Sequence, residues 1–179
     1  MRQSAHFSEG HVPVAFVFSA PGEKESRLGK PVAGATGDNL EAALVHLHAS
    51  CPGLFLSEHR YDYRITNAWP DTLAVSLGHG GSEALDTQIQ DARNVQRVLR
   101  ELEGCDVVIL SGRKAQLLAR ALNRSGKTVV DPPHVGNTGL NVSYEIGAHL
   151  GLVTPQDRRA HRVQLWANAV LKALRADCS

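Results

Sequence analysis

Apolar positions fall into two kinds of run along this chain. "VPVAFVFSA" (Val12 to Ala20) is almost continuously apolar and β-branched, bounded by Pro and Gly, and predicts a buried strand. "YRITNA" (Tyr63 to Ala68), "DVVILSG" (Asp106 to Gly112) and "KTVVD" (Lys127 to Asp131) predict three more. Between them the spacing becomes helical. Leu40, Ala43, Leu44 and Leu47 share one face, after Asp38 and Glu41 placed as a capping box. Ile89, Ala92, Val95, Val98, Leu99 and Leu102 line a second helix, and "RKAQLLARALN" predicts a third, ending near Gly126. The last helix carries Val163, Trp166, Ala167, Val170, Leu171 and Leu174. Trp69 to Glu83 is turn-rich.

Strands that are apolar throughout and alternate with helices are buried on both faces. The expected fold is therefore a single α/β domain, a three-layer α/β/α sandwich around a central, mainly parallel four-stranded sheet. Such sheets bind ligands beyond the carboxyl ends of their strands. Three polar or glycine-rich sequences fall there: "SAPGEKESRLGKPVAG", "TNAWP" and, after the fourth strand, "HVGNTGLN".

Composition narrows the class. The chain has 179 residues, 42% hydrophobic and 21% charged, with a net charge of +1, so a polyanion partner is not advertised by overall charge. No apolar run reaches the roughly 18 residues of a membrane span. "MRQSAHFSEG" lacks an apolar leader core, so a cytoplasmic protein is expected. Cys51, Cys105 and Cys178 are widely separated and show no metal-ligand spacing, so neither a metal nor another cofactor is expected. Between Val107 and Val130 stand Arg113, Lys114, Arg120, Arg124 and Lys127 without an acidic residue. That run is either a solvated helix face or a phosphate-facing patch.

The segment from Phe16 to Leu44 carries Gly22, Gly29, Gly34 and Gly37 between a strand and a helix. Glycine lets backbone approach a ligand closely, so the segment suits a long anion-binding cradle, with a structural turn as the alternative. Its spacing is neither that of a P-loop nor that of a dinucleotide fingerprint.

Ala20-Pro21-Gly22, Glu25, Gly29, Pro31, Gly34 and Gly37 together resemble the first motif of the uracil-DNA glycosylase superfamily, closest to its thermostable iron–sulfur branch. "YRITNAWP" is similar to the family's strand ending in Thr-Asn, "DVVILSGRKA" to its strand ending in Leu-Gly, and "HVGNTGLN" to its last, histidine-bearing motif. The four occur in the family's order from about Val12 to Asn141. The resemblance implies a DNA partner, and the lack of a long apolar run implies no membrane. The enzyme would flip a damaged or modified base from DNA and hydrolyse its N-glycosidic bond. His134 would donate a hydrogen bond to the leaving base, and Asn67 would read its Watson–Crick edge. Ser19 and Ala20 occupy the positions of the family's catalytic strand end, with Pro21, Gly22 and Val32 as further pocket residues. Backbone amides from Ala20 to Gly22 would hold base and water. Lys24, Arg27, Lys30, Arg113, Lys114, Asn137 and Asn141 would meet the phosphates.

The departures from the family all remove size or charge. Ser19 replaces a Glu, Ala20 stands where other branches carry an Asp or Asn, Val32 replaces a stacking Phe, Val135-Gly136 replaces Pro-Ser, and the cluster cysteines are missing. A lost base-stacking aromatic is worth roughly 1–3 kcal/mol. Two readings follow: a glycosylase with an altered, wider pocket, or a protein that binds nucleic acid or a nucleotide without cleaving it. A signalling or defence protein on the same fold is a further class. Taken singly, Asn67 also suits a turn at a strand end and His134 an exposed loop.

Overall fold

A computed structural model describes residues 3–73, 83–147 and 150–177, with backbone alone for 175–177. Most of the turn-rich segment after Trp69 and all of Cys178 lie outside the described residues. The strands are β1 (Gln3–Ser4), β2 (Phe7–Ser8), β3 (Val12–Phe18), β4 (Tyr63–Asn67), β5 (Val107–Leu110) and β6 (Thr128–Val130). The helices are α1 (Glu23–Leu28), α2 (Ala35–Ser50), α3 (Asp86–Ile89), α4 (Ala92–Glu101), α5 (Arg113–Gln116), α6 (Ala119–Arg124), α7 (Asn137–Ser143) and α8 (Pro155–Asp177). A 3₁₀ turn, Arg60–Asp62, leads into β4.

The chain is an α/β protein with one six-stranded mixed sheet in the order β1-β2-β4-β3-β5-β6. The four anticipated strands pair in parallel, with β3 flanked by β4 and β5, and β5 followed by β6. The expectation of a four-stranded sheet is corrected by β1 and β2. This short hairpin adds antiparallel pairs at the β4 edge, Phe7 opposite Thr66 and Ser8 opposite Ile65. Each of its strands is two residues long, too short for any alternation to register.

Alternation along β3 separates two cores. Val14, Phe16 and Phe18 face α2, α7 and α8, joining Leu40, Leu44, Leu140, Trp166 and Val170. Ala15 and Val17 face α3 to α6, joining Ile89, Val98, Leu110, Ala115 and Leu122. Each fully buried Leu, Ile or Phe side chain contributes about 1.5–3 kcal/mol to holding helices on both faces.

Helix boundaries depart from the sequence expectation for local reasons. α2 begins at Ala35 with Gly34 as its N-cap, so Asp38 lies in its first turn and forms an ion pair with Arg60 at 3.4 Å rather than capping. A capping pattern occurs instead at α1, where Gly22 N–H donates to Glu25 Oε2 at 3.1 Å. The second helix is interrupted at Gln90–Asp91 because the Asp91 carboxylate caps a new helix, accepting from Arg93 N at 2.9 Å. The third is split between α5 and α6 by Leu117 and Leu118. α7 begins within "HVGNTGLN", where a loop was expected, and runs on to Ser143.

The glycines of the Phe16–Leu44 segment form helix boundaries rather than one continuous cradle. Gly22 caps the start of α1, Gly29 its end, and Gly34 the start of α2. Gly37 is needed for close packing, since a Cβ there would lie 1.8 Å from the Val32 carbonyl oxygen.

Candidate active site

The carboxyl ends of β3 and β4 and the loop after β6 meet around a small cavity of about 160 Å³. Phe18, Ser19, Ala20, Pro21, Glu25, Val32, Thr36, Asn67 and His134 line it. A second depression of about 400 Å³, bordered by Ser19, Ser111, Gly112, Arg113, Thr138 and His134, shares Ser19 and His134 with it. His134 thus borders both.

The loop carrying His134 is tied down on every side. Trp166 Nε1 donates to the Pro133 carbonyl at 2.7 Å and Asn39 Nδ2 to the Val135 carbonyl at 2.8 Å. Gln116 Nε2 donates to the Asp131 and Pro132 carbonyls, and Ser111 Oγ accepts from Val135 N at 3.1 Å. Gly112, at φ +93°, leaves room for the ring, since a Cβ there would stand 2.8 Å from His134 Cβ. The Phe18 ring meets the imidazole edge-on, with centroids 6.0 Å apart.

His134 Nδ1 accepts the Gly136 N–H at 3.0 Å. The neutral ring therefore carries its proton on Nε2, which is a donor. Burial pushes the His134 pKa down from the ordinary imidazole value, against a smaller upward pull from Glu83. Around neutral pH the side chain is an uncharged donor rather than a cation.

Asn67 is the last residue of β4 and only 3% exposed. Its Oδ1 is buried without a hydrogen-bond partner. An unsatisfied buried carbonyl costs about 1–3 kcal/mol and calls for an explanation. Its position is set by a polar network behind the sheet. Arg97 donates to the Asn67 carbonyl at 2.9 Å, Asn94 Nδ2 to the Ala68 carbonyl at 2.8 Å, and Glu101 binds Arg97, the Thr66 hydroxyl and His6. The backbone at Asn67 is thereby held while the side-chain oxygen is left without a partner.

Of the strand-end residues expected from sequence, Ser19, Ala20, Pro21, Val32, Asn67 and His134 line the same cavity. Gly22 does not line it, and its amide is already engaged by Glu25. Glu25 also accepts from Ala33 N at 2.9 Å, so one carboxylate clamps both ends of the α1 loop while lining the cavity. Of the backbone amides from Ala20 to Gly22 expected to hold base and water, that of Gly22 is engaged by Glu25. Val32 is 5% exposed and sits at φ 44°, an unusual backbone for a β-branched residue, with its side chain in the core beside Phe18 and Leu40. A wider pocket was expected around Val32 and Ser19, yet the cavity is small. Any larger ligand must extend toward the depression on the other side of His134.

Neither a protein-family model nor a curated protein matches this chain. Its chemistry is therefore read from the site.

The basic residues divide. Lys24, Arg27 and Lys30 are exposed on and just after α1 and do not line the cavity, and Lys30 lies over the Tyr61 ring at 5.7 Å. Arg113 is 66% exposed at the mouth, within 3.3 Å of Asp86. Lys114 is corrected from a surface contact to an internal tether: it is buried, and its ammonium donates to the Ala84 carbonyl at 2.7 Å and to Asp86 at 2.6 Å. Lys127 likewise bonds the Leu102 and Cys105 carbonyls. The basic run thus has counter-charges from Glu83 and Asp86, supplied by the segment before α4.

These environments separate two adjacent residues. Lys114→Ala leaves the Ala84 carbonyl without its donor and should destabilise the protein by about 1–3 kcal/mol. Arg113→Gln, at an exposed pair, should change stability by less than about 0.5 kcal/mol. Thermal unfolding of the two variants checks the contrast, and equal effects would contradict it.

Phe18, Thr36 and Glu25 were not assigned to the site from sequence. The aromatic ending an apolar strand at Phe18, and the acidic residue three positions after Gly22, were the available signals. Asn137 and Asn141 lie outside the cavity, along the cleft between α7 and α8.

Proposed function

We propose that the chain is a DNA glycosylase-like protein of the uracil-DNA glycosylase type, which takes a flipped, damaged or modified base into the cavity under His134 and hydrolyses its N-glycosidic bond. The observation that carries this is the unpartnered, buried Asn67 Oδ1 in a cavity shared with a neutral His134. A nucleobase edge presenting an N–H beside an acceptor supplies the partner Asn67 lacks, with Phe18 and His134 as aromatic neighbours.

As the glycosidic C–N bond breaks, the sugar becomes oxocarbenium-like and the bonding pair leaves with the base. His134 Nε2–H donates to the base oxygen that gathers this charge. Water adds to the anomeric carbon and gives its proton to solvent, while the departing base anion takes one up as it leaves, so that the water is divided between the sugar hydroxyl and the free base. Glu25 is the one carboxylate lining the cavity among the described residues, and both its oxygens already accept backbone N–H groups. Its remaining lone pairs orient that water, and the rate is modest because no carboxylate is dedicated to deprotonating it.

That same engagement of Glu25, together with the absence of a carboxylate at Ala20, favours a second reading in which base and backbone are bound without cleavage. Incubation with DNAs carrying uracil, hypoxanthine, xanthine and modified pyrimidines decides between them. Abasic sites formed on at least one base, and absent with His134→Ala, are expected. Tight binding with no abasic product on any of them removes the enzyme and leaves the binding protein.

A further inference from the structure

α7 and α8 enclose a cleft of about 430 Å³ that is separate from the His134 cavity. It is lined by Asn137, Leu140, Asn141, Arg158, Arg159 and Arg162, with Pro155 at one end. The arginines come from the first two turns of α8. Among the described residues none of the three has a carboxylate within ion-pair distance, and their hydrogen-bond partners are neutral oxygens. Arg158 donates to the Leu152 and Val153 carbonyls, Arg159 to Asn39 Oδ1, and Arg162 to the Tyr144 carbonyl. Asp157, the acidic residue of the same turn, is turned to Thr154, accepting from its hydroxyl at 2.7 Å.

Each arginine presents five N–H donors, and these bonds use one nitrogen of each side chain. The remaining donors point to a ligand rich in acceptor oxygens and negative charge, and guanidinium forks match phosphate oxygens in pairs. The cleft is also wired to the histidine loop. The fully buried Asn39 accepts from Arg159 at 2.5 Å and donates to the Val135 carbonyl and to Asn137 Oδ1 at 2.8 and 2.9 Å. A charge held by Arg159 is thus two hydrogen bonds from the residue beside His134.

We propose that this cleft is a phosphate-binding subsite that takes the sugar–phosphate backbone of the same polynucleotide whose base enters the His134 cavity, with Arg159 and Arg162 as its principal contacts. The proposal rests on the function given above for its choice of a polynucleotide. The continuity of Asn137 and Asn141 with the histidine loop is what places backbone here. α7 leads the strand from the cavity mouth into the arginines.

The test is fluorescence anisotropy of undamaged single-stranded and duplex oligonucleotides, so that no cleavage is needed. The double variant Arg159→Gln/Arg162→Gln should bind about tenfold more weakly to every sequence alike. Its dependence of log affinity on log salt should flatten by roughly 0.7–0.9 for each phosphate that is no longer neutralised. Arg159→Lys/Arg162→Lys should restore most of the salt slope, because it keeps the charge while losing the fork. An Arg159→Gln/Arg162→Gln protein that melts like wild type and keeps its affinity and slope overturns the proposal, as does a wild type that binds no oligonucleotide at low salt. If the base panel yields no product while the salt slope changes as expected, the cleavage chemistry fails and the phosphate subsite stands.

Discussion

His134→Ala should lower cleavage of the preferred base by about 10² or more, while leaving backbone affinity nearly unchanged. Removing one donor aimed at developing negative charge costs about 2.7–4 kcal/mol of transition-state stabilisation. His134 is placed to be such a donor, with Nδ1 occupied by Gly136 N–H, the proton on Nε2, and a loop fixed by Trp166, Asn39 and Ser111. The pH profile carries a second expectation. Burial lowers the His134 pKa, so the folded protein keeps a neutral ring at pH values where an unfolded histidine, near pH 6.5, takes up a proton. The rate should therefore stay level as pH falls through 6.5 and decline only below it. The same shift costs stability in acid, because the unfolded chain binds a proton that the folded chain refuses. Single-turnover rates against pH provide the check. A His134→Ala variant within a few-fold of wild type, or a limb at about pH 6.5 that the variant abolishes, would show that the imidazole does not act as a neutral donor.

Glu101→Ala should be the most destabilising single change in the network behind Asn67, by about 3 kcal/mol or more. Glu101 and Arg97 are 12% and 18% exposed and form an i,i+4 pair within α4. Removing one member of a buried pair leaves the other charge desolvated without compensation, at about 3–5 kcal/mol. Burial pushes the Glu101 pKa up, but hydrogen bonds from His6 and Thr66 and the Arg97 charge outweigh it, and the carboxyl lies below its ordinary value. Its contribution is complete above the usual carboxylate range and is lost as pH falls through the lowered value. The gap between wild type and Glu101→Ala should thus be wide at neutral pH and narrow in acid. At about 2–4 °C per kcal/mol for a chain of this size, the melting temperature should fall by roughly 6–12 °C or more. A double replacement, Arg97→Leu with Glu101→Leu, should recover part of the loss, since hydrophobic substitution of an entire buried pair is often neutral, while the Asn67 carbonyl and Thr66 hydroxyl lose their partners. Melting curves of wild type and the two variants at neutral and acidic pH settle it. A double replacement that melts no higher than Glu101→Ala would mean that the pair is not coupled.

The four parallel strands were legible because each is a short apolar run whose side chains are buried on both faces, and such a run needs no partner to be recognised. That three polar loops would gather at strand ends followed from the alternation of strands and helices, which fixes the side on which connections emerge. Asn67 and His134 were singled out only through a motif resemblance, since taken singly a strand-end asparagine suits a turn and a loop histidine an exposed side chain. Their chemistry was not legible. The orphaned Asn67 oxygen depends on Arg97 and Asn94 bracing the backbone from another element, and the neutral state of His134 depends on how much of the ring is covered. Lys114 illustrates the limit from the other side. Along the chain it stands in an uncompensated basic run, yet the fold brings Asp86 to its ammonium, 28 positions away. The arginine cleft exists only because α7 packs on α8, across the segment that separates the histidine loop from the last helix. Local pattern by itself determined the four parallel strands and the longer helices, since burial on two faces or one is written in residue spacing, but not the two-residue strands β1 and β2 or the short helices α1 and α7. Tertiary structure alone decided which polar atoms keep a partner and which are left open, because a buried charge or carbonyl is satisfied by whatever the packing brings within about 3 Å, at any distance along the chain.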